Sequence, residues 1–136
     1  MEKLYTASVI VIGGRDGHAK SSDGIFETDL RKPKELGGQG GAPNPEHLFA
    51  TAWGSCYLGA LQAVAEKDGV DVDDANVNVH VSFNKEGNAF LLSAELDVRI
   101  PGISITEAQT IAEKAHRACP YSKATRNNIE VRVTAV

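Results

Sequence analysis

The longest uncharged stretch of this 136-residue chain constrains its fold more than any other feature. From Leu48 to Ala65, 18 consecutive residues carry no formal charge. That length is at the threshold for a helix that crosses a bilayer. However, the stretch includes Thr51, Ser55 and Gln62 as well as many alanines, and strand-like segments flank it. We therefore expect a helix buried in the core of a folded domain, with no membrane association.

Local signals define both ends of this helix. Asn44 is a favourable N-cap, and Pro45 suits the first helical position. Gly69 is a typical stop, so the helix is expected to end at Lys67 or Asp68. Apolar side chains point all around the axis, and so small a domain has few other elements to cover them. The pattern therefore predicts a homodimer that buries two such helices together.

The rest of the chain predicts short strands and one more helix, which together indicate a single α+β domain over residues 1–136. β-branched or alternating apolar residues predict five strands, at residues 4–12, 25–30, 76–84, 89–100 and 129–136. The segment between the first two strands is expected to be a loop. Ser104 and Glu107 have the spacing of a helix capping box, and Pro120 is expected to end or kink that second helix.

Charge and composition argue against several classes of partner. Lys and Arg together number 14 against 18 Asp and Glu, a net charge of −4 with both signs interspersed. No basic stripe indicates nucleic acid, and no basic cluster indicates an anionic membrane surface. The first residues lack the pattern of a signal peptide, and two cysteines are too few for a secreted disulfide scaffold. We therefore expect a cytoplasmic protein.

Two glycine-containing segments are candidates for anion binding, and neither fits well. The stretch from Gly14 to Ser21 is similar to a phosphate-binding loop, but Ala19 replaces a required glycine and a strand is expected where a helix is needed. Four glycines between residues 37 and 41 could form an anion nest before the long helix. Glu46, in the first turn of that helix, would repel an anion, so a mobile turn or lid is the better interpretation.

The only two cysteines, Cys56 and Cys119, are expected on apolar helix faces. Free cysteine is among the most buried residue types, so space-filling and chemistry both remain open for this pair. His116 lies three residues before Cys119, a spacing compatible with metal ligation or with a Cys–His nucleophile pair. No further cluster of Cys or His completes a zinc site, and we expect no metal.

Three stretches of the chain resemble one known family. They are GGRDGHAKS near the start, PKELGGQGGAPNPEHLFATAWGSCYLGAL in the middle and ACPYSKATRNNIEV near the end. These stretches are similar to the organic hydroperoxide resistance (Ohr) branch of the OsmC/Ohr family, and the resemblance extends over essentially the whole chain. It implies antiparallel sheets wrapped around a long buried central helix. It also implies an intertwined homodimer with active sites at the subunit interface.

The same resemblance implies a thiol peroxidase that reduces organic hydroperoxides to alcohols without metal, flavin or haem. By motif, Cys56 matches the peroxidatic cysteine and Cys119 the resolving cysteine, which implies an intramolecular disulfide between them. Arg15 matches the family's active-site arginine, and Glu46 matches its glutamate partner. The implied reductant is a dihydrolipoamide-type dithiol, free or on a lipoylated protein.

Physical chemistry adds two expectations to the resemblance. Cys119 is expected to be exposed near a Pro-terminated helix end, where an external dithiol could attack the disulfide. Glu46 and Cys56 are ten residues apart on one predicted helix, an axial distance of about 15 Å. We therefore expect Glu46 and Cys56 of one site to come from different subunits.

Three alternatives to this function remain open. One is a peroxidase of the OsmC branch with a different preference among peroxides. Another is a redox-sensing or ligand-binding module that uses the cysteines as a switch without turnover. The third is a structural protein with two inert buried thiols.

Overall fold

The computed structural model describes all residues, Met1–Val136, and these form two compact units, Met1–Leu48 and Phe49–Val136. The first unit contains a three-stranded antiparallel sheet. Its strands are β1 (Val9–Ile12), β2 (His18–Ser21) and β3 (Glu27–Asp29), with β2 in the centre. The expectation of one domain over residues 1–136 stays a prediction.

The predicted loop between the first two strands is wrong, because it contains β2. The sequence of β2, HAKS, has no β-branched residue, and its one fully buried side chain is that of Ala19. β2 pairs antiparallel with β1 on one side and with β3 on the other. This pairing keeps β2 extended although its residues have little intrinsic preference for a strand. β1 is also shorter than predicted, since it begins at Val9.

The long helix α1 (Pro45–Lys67) begins and ends where the sequence predicts. The side chain of Asn44 accepts a hydrogen bond from the backbone N–H of His47 at 3.0 Å, and the backbone N–H of Asn44 donates to His47 Nδ1 at 3.2 Å. This reciprocal arrangement satisfies two N–H groups at the helix start. Gly69 has φ +67°, the left-handed conformation that ends a helix.

The second unit contains a mixed three-stranded sheet covered by helices. β4 (Asn76–Glu86) and β5 (Ala89–Arg99) form an antiparallel hairpin, and β6 (Glu130–Ala135) lies parallel to β5. The connection from β5 to β6 contains α2 (Ile105–Ala118) and α3 (Pro120–Thr125). The backbone N–H of Glu107 donates to Ser104 Oγ at 3.2 Å, so the predicted cap of α2 is confirmed.

Pro120 ends α2 as predicted. It also begins α3, a helix that the sequence pattern did not predict. Pro suits the first position of a helix because the N–H it lacks would have no helical partner there. The backbone N–H of Cys119 donates to the carbonyl of Ala115 at 2.8 Å, so the chain turns from α2 into α3 at Cys119.

One face of α1 forms the centre of the core of the second unit. Its fully buried side chains recur every fourth residue, at Trp53, Tyr57, Leu61 and Ala65. They cluster with inward-facing residues of β5 and α2, including Leu96, Val98, Ile111 and Ala112. At Gly54 an added Cβ would lie 3.2 Å from Val79 Cγ2, so the glycine allows α1 to pack closely on β4. The predicted α+β class, with two sheets and a long helix, is confirmed. The expectation that both sheets are antiparallel is wrong for the second sheet, because the connection through α2 and α3 brings β6 back parallel to β5.

By length and composition alone, α1 would also qualify as a membrane-spanning helix. Core helices of folded domains meet the same criterion, and the buried stripe of α1 packs against a sheet and a second helix. We therefore interpret α1 as a core helix.

Candidate active site

Glycines shape the turn that carries Arg15. A 3₁₀ turn over Gly14–Asp16 joins β1 to β2, and both Gly13 and Gly14 have positive φ, +74° and +62°. At Gly17 a Cβ would lie 1.7 Å from the carbonyl oxygen of Ile12, which no other residue tolerates. The backbone therefore closes tightly around Arg15, and only glycine permits this closure.

Arg15 and Glu46 form a bidentate ion pair. Arg15 Nη1 donates to Glu46 Oε2 at 2.9 Å, and Nη2 donates to Oε1 at 2.7 Å. The pair is partly shielded, with 31% of the Arg15 side chain and 13% of the Glu46 side chain exposed. The hydrogen bonds from Arg15 lower the pKa of the Glu46 carboxyl, and those same bonds raise the pKa of Arg15. Both groups are therefore charged at neutral pH.

The two cysteines lie side by side as free thiols. Cys56, on α1, is partly exposed, whereas Cys119, between α2 and α3, is fully buried. Burial raises the pKa of Cys56, and the neighbouring Cys119 thiol raises it further. The hydrogen bond from the backbone N–H of Tyr121, the first N–H of α3, lowers the pKa of Cys56 and so opposes these two effects. That N–H is therefore positioned to stabilise a Cys56 thiolate.

The expectation that Cys119 is exposed is wrong, because its side chain is 0% accessible. A Pro-terminated helix end often faces solvent, but here the chain continues into α3, which keeps Cys119 inside the core cluster. Access to the pair is therefore through Cys56.

A buried polar chain lies beside the cysteines, and sequence reasoning missed it. Trp53 Nε1 donates to Ser122 Oγ at 3.1 Å, and the Ser122 hydroxyl lies 2.9 Å from His116 Nδ1. The hydrogen-bond partner of the His116 Nδ1 atom is therefore Ser122. No group of three or more His, Cys, Asp or Glu side chains is arranged to hold a metal ion.

A groove of about 740 Å³ opens on the second unit between α1, the β4–β5 hairpin and the α3 end. Phe49 lines it together with apolar side chains of β5 and the segment before β6, which are Phe90, Leu91, Leu92 and Ile129. Trp53 and Tyr57 do not line it, since both are fully buried in the core.

The four residues singled out from the sequence thus occur as two pairs. Arg15 and Glu46 are paired in the first unit, and Cys56 and Cys119 are paired in the second. Ser122, Trp53 and the Tyr121 N–H are additional polar groups around the cysteines. No short motif indicates them, because Trp53 and Ser122 are 69 residues apart.

Comparison with known proteins identifies the family. The model of the OsmC-like protein family matches residues 38–134. An organic hydroperoxide resistance protein of Xanthomonas axonopodis pv. citri is 42% identical over 133 residues, 96% of this chain and 94% of that protein. The organic hydroperoxide resistance protein OhrA of Bacillus subtilis is 38% identical, with 96% and 94% covered.

A solved structure has the same fold over the whole chain. The crystal structure of an organic hydroperoxide resistance protein from Elizabethkingia anophelis, with thiocyanate bound, superimposes with a TM-score of 0.91. It is 43% identical and covers 99% of this chain and 98% of that chain. The chain therefore belongs to the OsmC-like family, in its organic hydroperoxide resistance branch.

Proposed function

We propose that this protein is a thiol peroxidase that reduces organic hydroperoxides to alcohols, with Cys56 as the nucleophile and Cys119 as the resolving thiol. The observation that carries the proposal is the adjacency of these thiols in a chain that has no other cysteine. The partly exposed thiol can meet a peroxide, and the buried thiol is protected until an intermediate forms beside it. The organic hydroperoxide resistance relatives supply the substrate class.

The proposed cycle has three balanced steps. The Cys56 thiolate attacks the distal oxygen of ROOH, which breaks the O–O bond and leaves a Cys56 sulfenic acid and an alkoxide that takes up a proton. The Cys119 thiol then attacks the sulfenic sulfur, so that a Cys56–Cys119 disulfide forms and water leaves. A dithiol finally reduces the disulfide to two thiols and is itself oxidised to a cyclic disulfide.

Arg15 and Glu46 have the chemistry to assist the first step. The developing alkoxide carries negative charge, which a fixed guanidinium stabilises. Glu46 holds that guanidinium by two parallel hydrogen bonds, which fixes its orientation more firmly than a single contact would. We therefore propose Arg15 as the electrostatic catalyst and Glu46 as the residue that positions it.

The burial of Cys119 bears on how the disulfide is recycled. Thiol–disulfide exchange depends on which sulfur an attacking thiolate can reach. Cys56 is the accessible member of the pair, so we propose that the reductant attacks the Cys56 sulfur and releases Cys119. We propose a dihydrolipoamide-type dithiol, free or on a lipoylated protein, because its two thiols release the mixed disulfide by cyclisation.

The groove on the second unit offers an apolar surface for the tail of a peroxide, although neither cysteine is among the residues that line it. Its aromatic and aliphatic side chains would bury a hydrocarbon tail, at about 25 cal/mol for each Å² removed from water. Hydrogen peroxide has no tail and would gain nothing there. We propose that Phe49 contributes to this selection and expect Phe49→Ala to raise KM for cumene hydroperoxide while leaving hydrogen peroxide turnover unchanged.

We also propose a cytoplasmic homodimer. All four side chains of β1, Val9–Ile12, are exposed, and β1 is an edge strand of its sheet. An apolar, unpaired edge strand is aggregation-prone unless another chain covers it. Light scattering at micromolar concentration tests the proposal, and a monomer would contradict it.

The decisive experiment mixes reduced protein with one equivalent of cumene hydroperoxide and locates any disulfide by mass spectrometry. A Cys56–Cys119 disulfide that dihydrolipoamide reduces with repeated turnover supports the peroxidase. Oxidation without turnover would favour the redox switch, and two unreacted thiols would favour inert packing. Faster turnover of hydrogen peroxide than of cumene hydroperoxide would favour the OsmC-branch alternative.

A further inference from the structure

Ser122 is the polar centre of a junction of three helices. Its side chain is 0% accessible, and its hydroxyl contacts Trp53 of α1 and His116 of α2. An indole N–H can only donate, so Ser122 Oγ accepts a hydrogen bond from Trp53, and it forms a second hydrogen bond with His116 Nδ1. Burial and the nearby Arg126 and Arg117 lower the pKa of His116, so its ring is neutral at pH 7.

The helix that carries Ser122 cannot fix its own position. α3 has six residues, too few for a helix to be stable by itself in water. Besides Ser122, a second side-chain bond ties α3 to the rest of the unit, from Arg126 Nη2 to the carbonyl of His116 at 3.0 Å. Arg126 is exposed to solvent, whereas the Ser122 bonds lie in the core, where hydrogen bonds are stronger.

The position of α3 matters because two residues just before Ser122 belong to the surroundings of the cysteine pair. Cys119 immediately precedes α3, and Tyr121 supplies the backbone N–H that donates to Cys56. Trp53 lies three residues before Cys56 on α1, which places the two on neighbouring positions of one helix face. The Trp53–Ser122 bond therefore ties the helix of the nucleophile to the helix that supplies its hydrogen-bond donor.

We propose that Ser122 is a positioning residue for the cysteine pair: its bonds to Trp53 and His116 hold α3 so that the Tyr121 N–H faces Cys56 Sγ. The proposal rests on the proposed role of Cys56 as a nucleophile. The thiolate of Cys56 lies among apolar side chains that disfavour its charge, and a fixed N–H donor offsets part of that cost. Without the Ser122 hydroxyl, α3 shifts and the donor is lost.

The test follows the alkylation of Cys56 by monobromobimane as a function of pH, resolved from Cys119 by peptide mass spectrometry. Ser122→Ala is expected to slow alkylation at neutral pH about tenfold and to shift the midpoint of the profile upward, as for loss of one hydrogen bond to a charged group. Trp53→Phe keeps an aromatic ring but removes the donor, and is expected to shift the profile in the same direction.

Thr125→Val is the matched control. Thr125 is a second buried hydroxyl on α3, but it donates only to carbonyls of its own helix, those of Tyr121 and Ser122. The control is expected to keep the wild-type alkylation profile even if it melts at a lower temperature. Equal shifts in Thr125→Val and Ser122→Ala would overturn the proposal, because they would indicate general loosening of α3.

Wild-type profiles in both Ser122→Ala and Trp53→Phe would also overturn it. If Ser122→Ala fails to fold, Trp53→Phe decides by comparison with Thr125→Val, because both substitutions remove buried groups but only Trp53→Phe removes a bond to Ser122. Alkylation requires no peroxide, so this result is independent of the proposed function. Failure of the wild-type protein to form a disulfide with cumene hydroperoxide would contradict the peroxidase without changing the alkylation profiles.

Discussion

Two parallel hydrogen bonds join Arg15 and Glu46, with an Nη1–Oε2 distance of 2.9 Å and an Nη2–Oε1 distance of 2.7 Å. The carboxylate stands in the first turn of α1, and the guanidinium comes from a glycine-bounded turn 31 residues earlier. The turn that carries Arg15 and the first turn of α1 are thereby joined by one planar contact. The geometry makes each partner dependent on the other for its orientation.

Glu46→Gln is expected to reduce kcat/KM for cumene hydroperoxide about a hundredfold, the loss that a misplacement of about 1 Å produces in a catalytic group. Gln has one oxygen, so it can hold only one guanidinium nitrogen. Glu35→Gln is the control, because Glu35 is an exposed carboxylate in the same unit. Equal kcat/KM values for Glu46→Gln and the wild type would show that Glu46 does not contribute to catalysis.

The same pair makes stability depend on acid pH. Because Arg15 lowers the pKa of Glu46, the stabilisation is complete above the ordinary value of 4.5 and is lost as pH falls through the lower pKa of the folded state. Urea unfolding of the wild type should lose more free energy below pH 4.5 than that of Glu46→Gln. Parallel pH curves for the two proteins would contradict this expectation.

His116 is expected to add a second acid-sensitive contribution at higher pH. Burial, Arg126 and Arg117 lower its pKa below the ordinary value of 6.5. Its contribution is therefore complete above pH 6.5 and is lost as pH falls toward the lower folded pKa. An NMR titration of the imidazole tests the direction, and a midpoint at or above 6.5 would contradict it. His116→Asn keeps a hydrogen-bonding group for Ser122 but should lose this pH dependence.

His18 is expected to act in the opposite direction. Its ring nitrogens lie 2.9 Å from Asp29 Oδ1 and 2.9 Å from Glu27 Oε1, and these carboxylates raise its pKa above 6.5. Its stabilisation of the β2–β3 pair is complete below pH 6.5 and is lost as pH rises through the raised folded pKa.

Amide exchange at Leu30, whose N–H donates to the carbonyl of Gly17, reports on this β2–β3 pair. Protection should fall as pH rises through the His18 titration, beyond the intrinsic pH dependence of exchange, and His18→Asn should lack that step. Because the three groups are exposed to solvent, high salt should weaken the effect. A step of the same size in molar salt would indicate a different cause.

Elements with local signals could be predicted from the sequence, and those held by tertiary contacts could not. The ends of α1 follow from Asn44, Pro45 and Gly69, each of which acts on its own backbone. β2 was missed because pairing with two neighbouring strands makes HAKS extended. α3 is not predictable from Pro120 alone, because proline is compatible both with the end of α2 and with the start of a further helix.

The same distinction holds at the site. Cys56, Cys119, Arg15 and Glu46 stand in recognisable motifs, so the sequence singles them out. The bidentate contact and the adjacency of the thiols are facts of the fold. The sequence does not single out Ser122, because a serine in a polar segment is ordinarily exposed. Its burial depends on the contact with Trp53, which is distant in the sequence.

Mixed dimers test whether one active site takes residues from both subunits. Glu46 and Cys56 are ten residues apart on α1, about 15 Å along the helix axis, which exceeds the reach of a direct contact. If a site combines Glu46 of one subunit with Cys56 of the other, a dimer of a Glu46→Ala chain and a Cys56→Ser chain keeps one complete site. Its second site carries both substitutions, so we expect about half of the wild-type turnover.

The two chains can be given different affinity tags and co-expressed, so that sequential purification isolates the mixed dimer. Both parent homodimers serve as controls, and each should show little or no turnover of cumene hydroperoxide. If each site instead took Glu46 and Cys56 from the same chain, every site in the mixed dimer would lack one group. A mixed dimer as inactive as its parents would therefore contradict the shared site, whereas half activity requires that the subunits complete each other.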